Sequence, residues 1–222
     1  MLEQTIHIVN PQHLDGGGSI LAHHFIDIID QKYDTILEWC SGAGFIGYKL
    51  LEANLCENLI LVDINPEAIA RAEQTVVDNG LSDKVACYTG TIEDVPNIGD
   101  VDLIVANPPN YYNINPHFPF YDAVKNDLRP NDKGWNIHCH FFDHVSRLLK
   151  PQGRIILSEV EPFQPQVFLS GYLYDQRDRI PFLDFVEMIH RNGLFLERCQ
   201  YFLEWEGIHL YFFVIRNAHG RT

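Results

Sequence analysis

The residues best suited to chemistry fall in three short stretches. The first is Glu38 with the glycine-rich run Gly42-Ala43-Gly44-Phe45-Ile46-Gly47. Glycines let a backbone approach a ligand where a Cβ would collide with it. The start of a following helix adds unpaired N–H groups. The second is Asp63, which closes an apolar run at roughly the 20-residue distance at which a carboxylate meets a ribose. The third is Asn107-Pro108-Pro109-Asn110, followed by Tyr111 and Tyr112. An amide oxygen beside two prolines is a hydrogen-bond acceptor held stiffly in place.

Two ligands compete for the glycine turn. The run is a literal G-x-G-x-x-G, which suits NAD and an oxidoreductase. Glu38 argues the other way. It precedes Gly42 by four residues, close to where a pyrophosphate would sit, and like charges repel. A ligand carrying an ammonium group is favoured there instead.

These residues need elements to hold them. Thr35–Trp39 reads as a strand, and Phe45, Ile46, Leu50 and Leu51 have helical spacing. Leu59–Val62, Val85–Tyr88, Val101–Ala106 and Arg154–Val160 read as further strands. Asn65-Pro66 starts a helix that Asn79-Gly80 ends. Helices are also expected at Ile137–Leu149 and around Phe182–Arg191, with Pro151-Gln152-Gly153 as a turn between helix and strand. Leu194–Leu203 and Ile208–Ile215 read as an antiparallel pair. Ahead of all these, Ser19 is the expected N-cap of a helix burying Ile20, Leu21, Phe25, Ile28 and Ile29. Alternating strands and helices imply an α/β fold with a mostly parallel sheet and ligands at the carboxyl ends of its strands. The connections Tyr111–Trp135 and Glu161–Arg179 carry many aromatic side chains, which suits a substrate pocket.

The pattern Glu38-x-x-x-Gly42-x-Gly44 resembles motif I of class I S-adenosylmethionine (SAM)-dependent methyltransferases. Asn107-Pro108-Pro109 resembles motif IV of amino N-methyltransferases, including protein glutamine methyltransferases. Two positions depart from the family pattern: Cys40 stands for its first glycine, and Asn110 for an aromatic. The resemblance implies a single-domain Rossmann-like fold with a seven-stranded, mostly parallel sheet and an antiparallel last strand. It divides the chain into residues 1–34, a loop and helix over the cofactor site, and 35–222, the methyltransferase domain. It implies SAM as cofactor, held by Glu38 at the ammonium, Asp63 at the ribose, and the turn residues Cys40, Gly42 and Gly44. Ile64 and Ile92 would flank the adenine and Thr91 would meet its amino group. Asn107, bordering the cofactor, and the Pro108 backbone would accept the hydrogens of an acceptor nitrogen. Tyr111 would stack on the acceptor plane, with Asn110, Tyr112, Trp135 and His138 around the substrate. A non-catalytic binding subunit of the same fold is the third reading, hinted at by Cys40 and Asn110.

Of His138, His140 and His144, only His140 and His144 share a helical face, and no carboxylate at ligand spacing accompanies them. No metal is therefore expected. The net charge of −14, from 30 acidic and 16 basic residues, comes without any cluster of Lys and Arg. A small-molecule amine or amide, or a short peptide, is the expected acceptor, with a protein glutamine as the alternative and no nucleic acid. Apolar runs are shorter than the ~18 residues of a membrane span, and no basic-then-apolar leader is present. Five scattered cysteines suit reduced thiols in the cytoplasm.

Overall fold

The computed structural model describes residues 5–9, 17–96, 99–109, 132, 135–160, 182–205 and 208–217. Its strands are β1 (Tyr33–Trp39), β2 (Cys56–Asp63), β3 (Val85–Thr89), β4 (Val101–Ala106), β5 (Leu149–Val160), β6 (Leu194–Trp205) and β7 (Ile208–Asn217). They form one sheet in the order β3-β2-β1-β4-β5-β7-β6. Strands β1 to β5 pair in parallel, and β7 runs antiparallel to both β5 and β6. The helices are α1 (Gly18–Ile28), α2 (Phe45–Glu52), α3 (Pro66–Asn79), α4 (Asn136–Val145) and α5 (Phe182–Arg191), with a 3₁₀ turn at Ile92–Asp94.

Alternation along the strands separates two cores. Leu37, Trp39, Ile104, Ala106, Ile155 and Leu157 face one way, against Phe141, Phe142 and Phe185 of α4 and α5. Ile36, Leu59, Leu61, Val105 and Ile156 face the other, against Phe25, Tyr48 and Ala72 of α1, α2 and α3. Both faces are buried, so the central strands read as continuous apolar runs. The fully buried Tyr48 donates its hydroxyl to the Ala72 carbonyl at 2.6 Å, which joins α2 to α3.

The register positions the site. Trp39 pairs with Val62 on one side and Ala106 on the other, and Ala106 pairs with Leu157. The segments that leave β1, β2 and β4 therefore depart side by side from one edge of the sheet. Asn65 caps α3 by accepting the Glu67 N–H, Pro66 sits in the first turn, and Gly80 closes it in the left-handed region, as the sequence suggests.

Three expectations need correction. Gly17, not Ser19, precedes α1, with φ 92°. The cause is packing: Gly18 lies against Phe45, and a Cβ at 18 would come within 3.0 Å of the Phe45 Cβ. The start of α1 is thereby fixed on the start of α2, and Ile20 is left 51% exposed. The α4 helix stops at Val145, because Leu149 already pairs with Val101. Pro151-Gln152-Gly153 lies within β5 as an irregularity, since Leu149 pairs with Val101 and Arg154 with Leu103.

Candidate active site

Glu38 is the last but one residue of β1, faces α2 and is only 2% exposed. One carboxylate oxygen accepts the Ile46 N–H at 3.3 Å and the other the Gly47 N–H at 2.7 Å. The acid thus caps the helix that its own strand feeds. Burial pushes its carboxyl up to about 8, against the pull of the two N–H groups and with a further push from the Asp63 charge. A Cβ at Gly47 would stand 2.7 Å from both the Glu38 Oε2 and the Leu59 Cδ1. Only glycine permits this approach of helix to strand.

Asp63 ends β2. Its Oδ2 accepts the Gly42 N–H at 2.7 Å and its Oδ1 the Asn65 N–H at 2.9 Å. One carboxylate therefore fixes both the glycine turn and the start of α3. Burial raises its pKa while these two N–H groups lower it. Gly44, at φ 84°, donates its N–H to the Ser41 carbonyl at 2.8 Å. The N–H groups of Gly42, Gly44, Ile46 and Gly47 are thus committed to two carboxylates and a carbonyl. A pyrophosphate would need such groups open, so this turn does not suit a dinucleotide.

Cys40 has φ 54°. A non-glycine residue there costs about 1–2 kcal/mol, which gives a physical reason for glycine at this place in the pattern it departs from. Burial, then the charges of Asp63, Asp132, Glu159 and Glu38, raise its thiol well above the usual range. It stays protonated at neutral pH and is not a nucleophile.

Ile64 follows Asp63 and is 54% exposed, an apolar side chain open at the strand edge. Thr91 is occupied differently from the expectation. Its hydroxyl accepts the Glu93 N–H at 3.3 Å and donates to Asp94 Oδ2 at 3.1 Å, while its own N–H donates to the same oxygen at 2.7 Å. It caps the 3₁₀ turn. Ile92 is fully buried among core side chains, so its side chain has no face left to flank an adenine. Asn107, Pro108 and Pro109 continue directly from β4, with Pro108 buried and Asn107 half-buried. Asn110, Tyr111 and Tyr112 lie outside the described residues.

His138 and Trp135 were expected at the substrate, and both are core residues. Trp135 packs its ring against His138 and Phe185, with centroids 4.7 and 4.9 Å away. His138 has no exposed surface. Its Nδ1 lies 2.6 Å from Asp132 Oδ2 and its Nε2 2.7 Å from Glu159 Oε1. Burial works against a charge on the ring, but Glu159 and Asp132 outweigh it and raise the imidazole to about 9. Asp132 also accepts the N–H groups of Ile137 at 2.8 Å and His138 at 3.0 Å, which caps α4. Glu159 lies near the carboxyl end of β5, and its Oε2 is buried without a hydrogen-bond partner among the described residues. Sequence reading missed Asp132 and Glu159. The available signal was Glu159 itself, a carboxylate in the mostly apolar run Ile155–Val160, where a buried charge requires a partner.

A polar groove of about 1020 Å³ lies at the opposite edge of the sheet, lined by Asp34, Asp102, Lys150, Arg154, Glu197 and Arg216. Lys150 is paired there with Asp102 at 2.9 Å, and Arg216 with Glu197. Neither the glycine turn nor the Asn107 turn opens onto it. Among the described residues no helix is long and apolar enough to cross a membrane.

Residues 30–190 match the family model described as a methyltransferase domain. The chain is similar to the ribosomal RNA small subunit methyltransferase C of Ectopseudomonas mendocina, at 33% identity over 115 residues, 52% of this chain and 32% of that protein. It is also similar to the ribosomal protein uL3 glutamine methyltransferase of Francisella tularensis, at 26% identity over 179 residues, 75% of this chain and 56% of that protein. Each match spans less than two thirds of the relative's length. Among solved structures, a SAM-dependent methyltransferase from Aquifex aeolicus has a TM-score of 0.58 at 13% identity, covering 94% of both chains. Geranyl diphosphate C-methyltransferase from Streptomyces coelicolor, in complex with S-adenosyl-L-homocysteine, has a TM-score of 0.61 at 12% identity, covering 90% of this chain and 76% of that one. At such identities these likenesses show a shared fold.

Proposed function

We propose that this chain, which belongs to the methyltransferase-domain family, is a SAM-dependent methyltransferase that methylates a nitrogen of an amide or amine acceptor. The observation that carries this reading is the place of Asn107-Pro108-Pro109. The turn leaves β4 beside the glycine turn of β1, one strand from the buried Glu159.

The residues present fit the cofactor. Asp63 offers a fixed carboxylate suited to a diol, Ile64 an exposed apolar surface suited to an adenine, and Glu38 a buried acid suited to an ammonium. When bound, SAM supplies an electrophilic methyl group. On the acceptor side, Asn107 and the Pro108 backbone accept the two hydrogens of an NH₂ group. That keeps the nitrogen lone pair from delocalising and directs it. Two prolines limit the freedom of these acceptors, so positioning supplies much of the rate. The Asp132–His138–Glu159 chain holds the end of β5 against the start of α4 and so keeps this wall in place.

A small molecule is the acceptor favoured by the two aromatic-rich connections. The similarity to a protein glutamine methyltransferase over 75% of this chain favours a second reading, a glutamine side chain. The acidic composition speaks against RNA, but the name of one relative is that of a ribosomal RNA enzyme, so RNA belongs in the screen.

Calorimetry with SAM and with NADH tests the cofactor assignment, and tighter NADH binding would end it. Transfer of label from methyl-tritiated SAM to amines, amides, glutamine-containing peptides and RNA then identifies the acceptor. With that acceptor, Asn107→Ala is expected to bind SAM nearly normally and to lose about 10²–10³ in kcat, some 2.7–4 kcal/mol of transition-state stabilisation. Full turnover by Asn107→Ala would reduce Asn107-Pro108-Pro109 to a structural turn.

A further inference from the structure

We propose that Glu93, His140 and His144 form a binding site for a single transition-metal dication of the zinc class. The three ligand atoms lie within 4.8 Å of one another. The Nε2 atoms of His140 and His144 each lie 3.8 Å from Glu93 Oε2. A tetrahedral site with bonds of about 2.0–2.1 Å places neighbouring ligand atoms about 3.3 Å apart, so small side-chain rotations suffice.

Two observations point to a ligand rather than to a chance cluster. His144 Nδ1 lies 2.9 Å from the His140 backbone carbonyl. A carbonyl can only accept, so Nδ1 carries the proton and Nε2 presents its lone pair to the cluster. Metal-binding histidines are oriented in this way by a bond from their other nitrogen. The His140 Nε2 is buried without a hydrogen-bond partner among the described residues, and a metal ion would satisfy it. The two rings lie on one face of α4 with centroids 4.5 Å apart and planes tilted by 38°.

The frame is already assembled. Arg147 Nη2 donates to the carbonyls of Ile92 and Glu93 at 2.7 and 2.8 Å, which seats the 3₁₀ turn against the segment that follows α4. Two imidazoles and one carboxylate select zinc, nickel or cobalt over magnesium or calcium, which take oxygen ligands. Three protein ligands leave further coordination positions open to solvent, and Glu93 is exposed. The bound ion would tie the turn after β3 to α4. His138, two residues before His140, belongs to the buried Asp132–Glu159 chain and takes no part.

The test uses the full chain, stripped with a chelator and titrated with zinc chloride by calorimetry. The expected result is one saturable equivalent, with a raised melting midpoint. His140→Ala and His144→Ala should abolish it, and Glu93→Gln should weaken it, all with unchanged SAM affinity as proof of folding. In the unaltered chain, zinc should protect His140 and His144 from acylation by diethyl pyrocarbonate, read by mass spectrometry. Cobalt should give ligand-field bands without a thiolate charge-transfer band. Absence of saturable binding, binding that survives when His140 and His144 are both replaced by Ala, lack of protection, or a thiolate band would each overturn the assignment.

Discussion

Glu38 and Glu159 are both buried carboxylates at carboxyl ends of strands in one sheet, and they are held in opposite ways. Glu38 is held by two backbone N–H groups of α2. Glu159 is held by the imidazole of His138, itself held by Asp132. Partial charges do not offset the burial of Glu38, so its carboxyl rises to about 8. Burial raises Glu159 as well, against the pull of His138, which itself rises to about 9 while bridging two acids. The cofactor half of the edge thus holds an acid that can change its charge near neutral pH, as the arrival of an ammonium would require. The acceptor half holds a histidine raised to about 9 between two acids, and burial raises Glu159 while the His138 charge lowers it.

The comparison breaks most readily at His138. Replacing it with Ala would leave Asp132 and Glu159 buried without their counter-ion, a loss of about 3–5 kcal/mol. Urea unfolding at pH 7 measures this. A loss below about 1 kcal/mol, the range of an exposed pair, would show that the chain is not a buried charge network.

The pH dependence of stability sharpens it. The folded state keeps a proton on Glu38 that the unfolded state has lost, so this contribution falls as pH rises from about 4.5 to about 8. His138 has its folded pKa raised from 6.5 to about 9, so its contribution is present below 6.5 and is lost as pH rises through 9. Thermal unfolding of Glu38→Gln is expected to lose the lower part of this slope and keep the upper part. Each fully differing proton corresponds to about 1.36 kcal/mol per pH unit. An unchanged slope between pH 5 and 7 would contradict the raised carboxyl.

The smallest effect belongs to Cys40. Cys40→Gly relieves about 1–2 kcal/mol of left-handed strain and gives back about 0.4–1 kcal/mol through the freer unfolded chain. A net gain of about 0–1.6 kcal/mol is expected in urea unfolding, with SAM affinity unchanged. A clear loss of stability would mean that the thiol contributes packing as well.

Glu38, the glycine turn, Asp63 and the Asn107 turn stood out in the sequence as local patterns at strand ends, although Asp63 also reaches Gly42, 21 residues away. Glu38 caps a helix that begins seven residues later, at Phe45. Asp63 binds Asn65 and the turn of the adjacent strand. Strands, helices and their order followed from apolar periodicity for the same reason. Periodicity marks a buried face but not what lies against it. It suggested Ile20 as buried, while the family resemblance set Trp135 and His138 at the substrate and Ile92 beside an adenine.

Only the tertiary structure decided those. The sheet order brings β5 beside β4, which puts Glu159 onto His138 and turns a histidine of a substrate loop into a core charge. It also brings the turn after β3 against α4, where Glu93 meets His140 and His144. Ser19 lost its capping place to Gly17 because Gly18 had to fit against Phe45 of another helix. The physical reason is common to all of them. Backbone hydrogen bonding and local sterics act over a few residues, whereas the partner of a buried charge is whatever group the packed sheet places within about 3 Å of it.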